Sequence, residues 1–199
     1  MQKQITNQGL VMLNIGAGKG KTTAAVGTAL RAAGAGMNVL ILQFVKARKA
    51  EKGKEGETGE WPISCEMEIL NHVAWPRGFG RIENRQLGLG FVGILGDKKQ
   101  KEAHIKAAIE GLGIARKEMV SGKWDLMILD ELVSAVEVEV LTEQDVVDLL
   151  SYRPPQMHVI LTGHNKYEKI IKACDMVTDM KMVKHPYYMG ILAQRGIDF

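Results

Sequence analysis

The sequence has few of the features that mark an exported, membrane-spanning or nucleic-acid-binding protein. Its 199 residues include two cysteines, Cys65 and Cys174, far apart and at no metal-ligand or disulfide spacing. Both are expected to be reduced thiols in a cytoplasmic protein. No apolar run approaches the ~20 residues that cross a bilayer. The opening Met1-Gln2-Lys3-Gln4 is polar and lacks a signal-peptide core, so neither export nor a membrane partner is expected. Charge is close to balanced, with 26 basic against 23 acidic residues and a net charge of +3. That excess is too small to argue for a nucleic-acid partner. His104 and His185 stand at no ligand spacing, which argues against a structural zinc site, and His72 reads as a loop residue. Neither an internal repeat nor a composition break divides the chain, so one domain over 1–199 is expected.

What is present is apolar material in the right rhythm. With 46% hydrophobic residues the chain can bury a sizeable core. Short β-branched runs at Leu10–Ile15, Asn38–Val45, Trp124–Glu131, His158–Gly163 and Met176–Met180 read as strands, and Met67–Leu70 as a weaker one. Near-continuous apolar character marks parallel strands covered on both faces. Between them, Lys21–Ala33, Ile105–Val120, a stretch from Thr142 to about Leu150, and Tyr167–Ala173 read as helices. Thr142 is a candidate cap, with Asp145 at the third helical position. This alternation predicts an α/β fold with a mostly parallel sheet and helices on both faces. Ligands then sit at the carboxyl ends of the strands. Lys46–Glu60 is dense in Lys, Glu and Gly and reads as a mobile surface loop. Residues 71–99 show no clean periodicity.

The most informative stretch is Gly16-Ala17-Gly18-Lys19-Gly20-Lys21-Thr22-Thr23. It follows the first strand and opens the first helix, the context in which a glycine loop cradles phosphate. Glycines let successive backbone N–H groups converge on phosphate oxygens, and the helix start adds its unpaired N–H groups. Lys21 can reach a phosphate, and the Thr22 hydroxyl can ligate Mg²⁺. Only Ala17, Gly18 and Lys19 separate Gly16 from Gly20, one residue fewer than in the common loop. The reading is nucleotide binding with a P-loop NTPase-like fold.

Three further sites follow. Asp130-Glu131 ends a buried strand, where acids reach the Mg²⁺ beside a phosphate loop; either residue could touch the ion. His164, after Thr162-Gly163, either meets the nucleotide or is a loop histidine. Phe91 lies among glycines, where an aromatic can lie on a flat ligand or plug the core.

Four stretches resemble the phosphate-loop corrinoid adenosyltransferases. They are the loop Gly16–Ala25, Gln43-Phe44-Val45-Lys46, Leu129-Asp130-Glu131, and the long tail with Arg153-Pro154-Pro155, His158–Gly163, Val183-Lys184-His185-Pro186 and Ala193–Phe199. The resemblance implies that reduced cobalt(I) of a corrinoid attacks the 5′ carbon of ATP, and that triphosphate leaves whole. It implies ATP bound in reverse of the usual phosphate-loop pose, with Gln43, Lys46 and His164 among its contacts. Lys19, Lys21 and a divalent ion, Mg²⁺ or Mn²⁺, on Thr22 and Glu131 would neutralise the leaving group. It gives Phe91 the role of removing the lower axial ligand, and it implies a homodimer and an electron donor such as a flavoprotein. The chain departs from the family pattern at Gly93, at Leu132-Val133-Ser134 and at His164. An ordinary ATPase or kinase, and a non-catalytic ATP or corrinoid binder, are the competing readings.

Overall fold

The structure, a computed structural model, describes residues 8–47, 65–90 and 99–198. Among these, six strands form one sheet in the order β3-β2-β4-β5-β1-β6. They are β1 Val11–Ile15, β2 Val39–Ala47, β3 Ile82–Gly88, β4 Leu126–Asp130, β5 His158–Thr162 and β6 Met176–Asp179. Every pairing between them is parallel. The helices are α1 Lys21–Gly34, α2 Cys65–His72, α3 Lys101–Met119, α4 Leu132–Glu137, α5 Glu143–Ser151 and α6 Glu168–Lys172. A 3-10 turn, Pro186–Met189, follows β6. The fold is the α/β phosphate-loop architecture that the alternation predicts.

Alternation along each central strand divides the core in two. Val39 and Ile41 of β2, Leu126 and Ile128 of β4, and Ile160 of β5 pack with the small residues Ala25, Ala29, Ala32 and Ala33 of α1 and with Met67 and Leu70 of α2. Their neighbours Leu40, Leu42, Met127, Leu129, Val159 and Leu161 face the other way, onto α3, α4 and α5. Burying a leucine or isoleucine contributes about 1.5–3 kcal/mol. Strands apolar on both faces therefore lie at the centre.

The structure departs from the sequence expectation at α2, which also carries His72, expected in a loop, at β3 and at α4. Met67–Leu70 lies in helix α2 and not in a strand. A four-residue apolar window does not separate the two periods; here Met67 and Leu70, three apart, are buried while Ile69 between them is exposed. Within 71–99, where no element was expected, Ile82–Gly88 pairs with β2 from Val39↔Ile82 to Gln43↔Gln86. It is an edge strand, buried at Ile82 and Leu87 and only partly so from Glu83 to Gln86. Its polar middle reflects that half-open position. The expected cap at Thr142 is present as a capping box: the Asp145 N–H donates to Thr142 Oγ1 at 3.2 Å, and the Thr142 N–H donates to Asp145 Oδ2 at 2.8 Å.

Most of the expected loop Lys46–Glu60 lies outside the described residues, although β2 carries Lys46 and Ala47 within its bounds. Phe91 and Gly93 also lie outside them.

Candidate nucleotide and metal site

Because all six strands run the same way, the residues at their carboxyl ends share one edge. The loop after β1 is held there by its backbone. The Gly16 N–H donates to the His164 carbonyl at 2.9 Å, and the Gly18 N–H to the Met180 carbonyl at 2.7 Å. Gly16 has φ 111°, and a Cβ there would stand 2.5 Å from both Asp179 Oδ1 and the Met180 carbonyl. No other residue fits that close approach.

Lys21 points into the loop. Its ammonium donates to the Gly16 carbonyl at 2.8 Å and the Gly18 carbonyl at 2.9 Å. Burial lowers its pKa from the ordinary lysine value, against the opposing pull of Glu131, Asp130 and Glu137. The amine is thus placed where an anion would meet it, with acids behind it. Helix α1 starts at Gly20 with no side-chain cap and no acid in its first turn. Its first N–H groups and positive dipole end stay open to an anion, unlike those of the capped α5.

Asp130 is the hub of the site. It is fully buried. Its Oδ1 accepts from Thr22 Oγ1 and from Thr162 Oγ1, each at 2.8 Å. Its Oδ2 accepts from Gln43 Nε2 at 3.0 Å. Gln43 and Asp130 are cross-strand partners in register, so the sheet itself sets this contact. Since Asp130 takes the Gln43 amide NH₂, the Gln43 Oε1 orientation is fixed by the network. That oxygen is buried and has no hydrogen-bond partner among the described residues. A buried orphan acceptor costs about 1–3 kcal/mol unless something arrives to donate to it.

Glu131 follows in the left-handed region, φ 59°, as the residue that starts α4. Such a backbone in a non-glycine residue is strained and clusters at working sites. The Glu131 N–H donates to Thr162 Oγ1 at 2.8 Å, and its Oε2 accepts from the Ser134 hydroxyl. Ser134 Oγ also lies 3.5 Å from His164 Nδ1, which is 3.6 Å from Glu137 Oε2. Ser134 and His164, two departures from the family pattern, therefore meet each other beside Glu131.

The sequence-predicted residues Gly16, Ala17, Gly18, Gly20, Lys21, Thr22, Gln43, Asp130 and Glu131 gather at this edge. Thr23 is exposed on α1. His164 supports the loop through its backbone carbonyl, while its ring faces Ser134 and Glu137 of α4. Lys19 pairs with Asp198 of the tail. Sequence reasoning did not single out Thr162 as a site residue, although a hydroxyl at a strand end beside Asp130 was a usable signal. Nor did it find Ser134 or Asp198 as members of the site, because contacts so distant in sequence leave no local pattern.

These residues fit a hard divalent ion. The Thr22 hydroxyl and two carboxylates supply oxygen donors, and the orphan Gln43 Oε1 suits a water held by such an ion. Among the described residues no cluster of three His, Cys, Asp or Glu side chains stands ready to hold a metal. Phosphate oxygens of a bound nucleotide would then complete the shell, as is usual for Mg²⁺.

Comparison with known proteins follows the same line. A family model described as ATP:corrinoid adenosyltransferase BtuR/CobO/CobP matches residues 7–199. The corrinoid adenosyltransferase of Escherichia coli K12 is 34% identical over 96% of this chain and 86% of its own. The corrinoid adenosyltransferase CobA of Salmonella typhimurium is 32% identical over the same shares, 96% and 86%. That of a Sinorhizobium species is 33% identical over 100% of this chain and 84% of its own. With the phosphate loop intact and the match running end to end, the chain belongs to the ATP:corrinoid adenosyltransferase family.

Proposed function

We propose that the protein transfers the 5′-deoxyadenosyl group of ATP to the cobalt(I) of a corrinoid and releases triphosphate, in adenosylcobalamin synthesis or salvage. Cobalt(I) gives an electron pair to C5′ of ATP. The C5′–O bond breaks, and its pair leaves with the triphosphate. Cobalt(I) thereby becomes formally cobalt(III), carbon-bonded to the adenosyl group. Such a nucleophile needs no general base, and the protein's task is alignment and charge neutralisation. The observation that carries this reading is the phosphate loop of a family member, folded with Lys21 inside it and Thr22 on Asp130.

The residues divide the work. The loop N–H groups other than those of Gly16 and Gly18, which donate to the His164 and Met180 carbonyls, hold phosphate oxygens together with the N-terminus of α1. Lys21, with Lys19 at the rim, offsets charge building on the leaving triphosphate. Asp130 orients the Thr22 hydroxyl, and Glu131 stands next to it. A Mg²⁺ or Mn²⁺ on Thr22 with Asp130 or Glu131 would supply further neutralisation. Gln43 fixes Asp130 and offers its free oxygen to a donor on the ligand side. Lys46 and Phe91 keep the roles that family likeness gives them, ATP contact and removal of the lower axial ligand. We read the protein as cytoplasmic and homodimeric, with an electron donor such as a flavoprotein supplying the reduced corrinoid.

Incubation with MgATP and chemically reduced cobalamin tests this. The expected products are an adenosylated corrinoid, seen in its visible spectrum, and intact triphosphate. Corrinoid-independent release of ADP would make it an ordinary ATPase. Binding without either product would make it a carrier.

A further inference from the structure

The segment after the 3-10 turn returns to the phosphate loop, and apolar burial does not hold it there. Leu192 is 76% exposed and Ile197 83% exposed. Polar contacts hold it instead. Arg195 Nη2 lies 3.7 Å from Glu68 Oε2 on α2. Asp198 Oδ1 accepts from Lys19 Nζ. Asp198 Oδ2 accepts from the Gln194 N–H at 2.8 Å, and the Asp198 N–H donates to the Gln194 carbonyl at 2.8 Å. These two bonds close 194–198 into a turn that aims the carboxylate at the loop.

The two loop lysines are thus used differently. Lys21 donates to loop carbonyls inside the cradle, whereas Lys19 at the rim carries a tail carboxylate. An anion held at the mouth of a triphosphate site opposes the ligand for which the site is built. The Lys19 side chain is half exposed. Ion pairs of that kind contribute about 0–1 kcal/mol. That is enough to bias an equilibrium, and little enough for a multiply charged ligand to displace.

We propose that Asp198 is an exchangeable counter-anion of Lys19. The triphosphate of an incoming nucleotide takes Lys19 and frees the tail, and Asp198 recaptures Lys19 as the triphosphate product leaves. The tail thereby tunes triphosphate affinity and favours product release. This rests on the reading that the loop holds triphosphate.

The test uses the full chain, Mg²⁺ and inorganic tripolyphosphate, with titration calorimetry at low salt. Asp198→Asn should bind tripolyphosphate about 3- to 5-fold more tightly than the unsubstituted protein, the upper part of the range for an exposed ion pair. Amide exchange over 190–198 should speed up on adding tripolyphosphate to the unsubstituted protein. In Asp198→Asn it should be fast from the start. Equal or weaker binding by Asp198→Asn, or a tail slowed or unchanged by ligand, overturns the exchange. Lys21→Ala separates the two claims. If it abolishes tripolyphosphate binding while Asp198→Asn binds as before, the loop reading stands and the exchange fails. If tripolyphosphate binds neither the unsubstituted protein nor Asp198→Asn, both fall.

Discussion

Strand β4 has a hydrogen-bonded carboxylate at each end, and the two are completed differently. Near its amino end, Glu118 of α3 accepts from the Arg85 guanidinium at 2.8 Å and from the indole N–H of Trp124 at 2.8 Å. Its negative charge meets a positive one within the chain. At the carboxyl end, Asp130 accepts from Thr22, Thr162 and Gln43, three uncharged donors, with Glu131 beside it. The Lys21 ammonium that these acids pull on donates instead to the Gly16 and Gly18 carbonyls, and a buried carboxylate without a bonded cation is costly to keep. The amino-end network is a finished structural staple. The carboxyl-end network has an acceptor, Gln43 Oε1, without a partner among the described residues, and under the proposed function a cation and an anionic ligand would complete it together.

The difference predicts opposite responses at the two ends. The largest effect is expected for Lys21→Ala, which removes a charge-assisted phosphate contact worth about 2–4 kcal/mol in a closed site. ATP affinity by calorimetry should fall by about 30- to 1000-fold, with the far-ultraviolet circular dichroism of the folded protein unchanged. Unaltered affinity would remove the phosphate cradle. Next comes Glu131→Gln. The Mg²⁺ concentration needed for half-maximal ATP binding should rise about 10-fold, because an amide is a poorer hard-cation ligand. Corrinoid affinity should hold. Equal shifts in both titrations would assign Glu131 elsewhere and make Asp130 the better ligand.

At the amino end the readouts exchange places. Glu118→Gln should lower unfolding free energy by about 1.5–3 kcal/mol in urea titrations, the net worth of hydrogen bonds to a charged group, while ATP affinity stays put. Its pH dependence has a definite sign. The Trp124 indole first, then Arg85, holds the Glu118 carboxyl below the usual glutamate value. Its contribution is fully present above the ordinary glutamate range and is lost as pH falls through the lowered value. Unfolding titrations across that acidic window should show the unsubstituted protein losing stability faster than Glu118→Gln. Parallel curves would mean that the carboxylate staples nothing. The smallest effect is expected at Thr142→Ala, about 1 kcal/mol from the lost helix cap, visible in thermal melts and invisible to ligand binding.

How much of this was readable from the sequence follows the same division. Strands β2, β4 and β5 were readable because two-sided burial writes itself as a near-continuous apolar run, β1 because its apolar residues lead into the glycine loop, and the loop by its glycine and lysine spacing. Asp130 and Glu131 stood out because they end such a run. The edge strand β3 was not, since a half-open edge leaves Glu83 to Gln86 polar. Helix α4 was missed because it begins directly at Glu131, with no intervening loop to signal a new element. The fine structure of the site was beyond local pattern. Thr162 reaches Asp130 across 32 positions, and Asp198 reaches Lys19 across 179. Such contacts exist only after the sheet has assembled.

The central claim is that the open network serves a displacement at the 5′ carbon and not at a phosphorus. One experiment addresses it directly: a single turnover with ATP carrying ¹³C at C5′, Mg²⁺ and cobalt(I) corrinoid, followed by ¹³C and ³¹P NMR of the same sample. The account predicts that the labelled carbon becomes bonded to cobalt and that intact triphosphate forms in equal amount. A labelled carbon still attached to a phosphate oxygen, with ADP and orthophosphate as the phosphorus products, would contradict it.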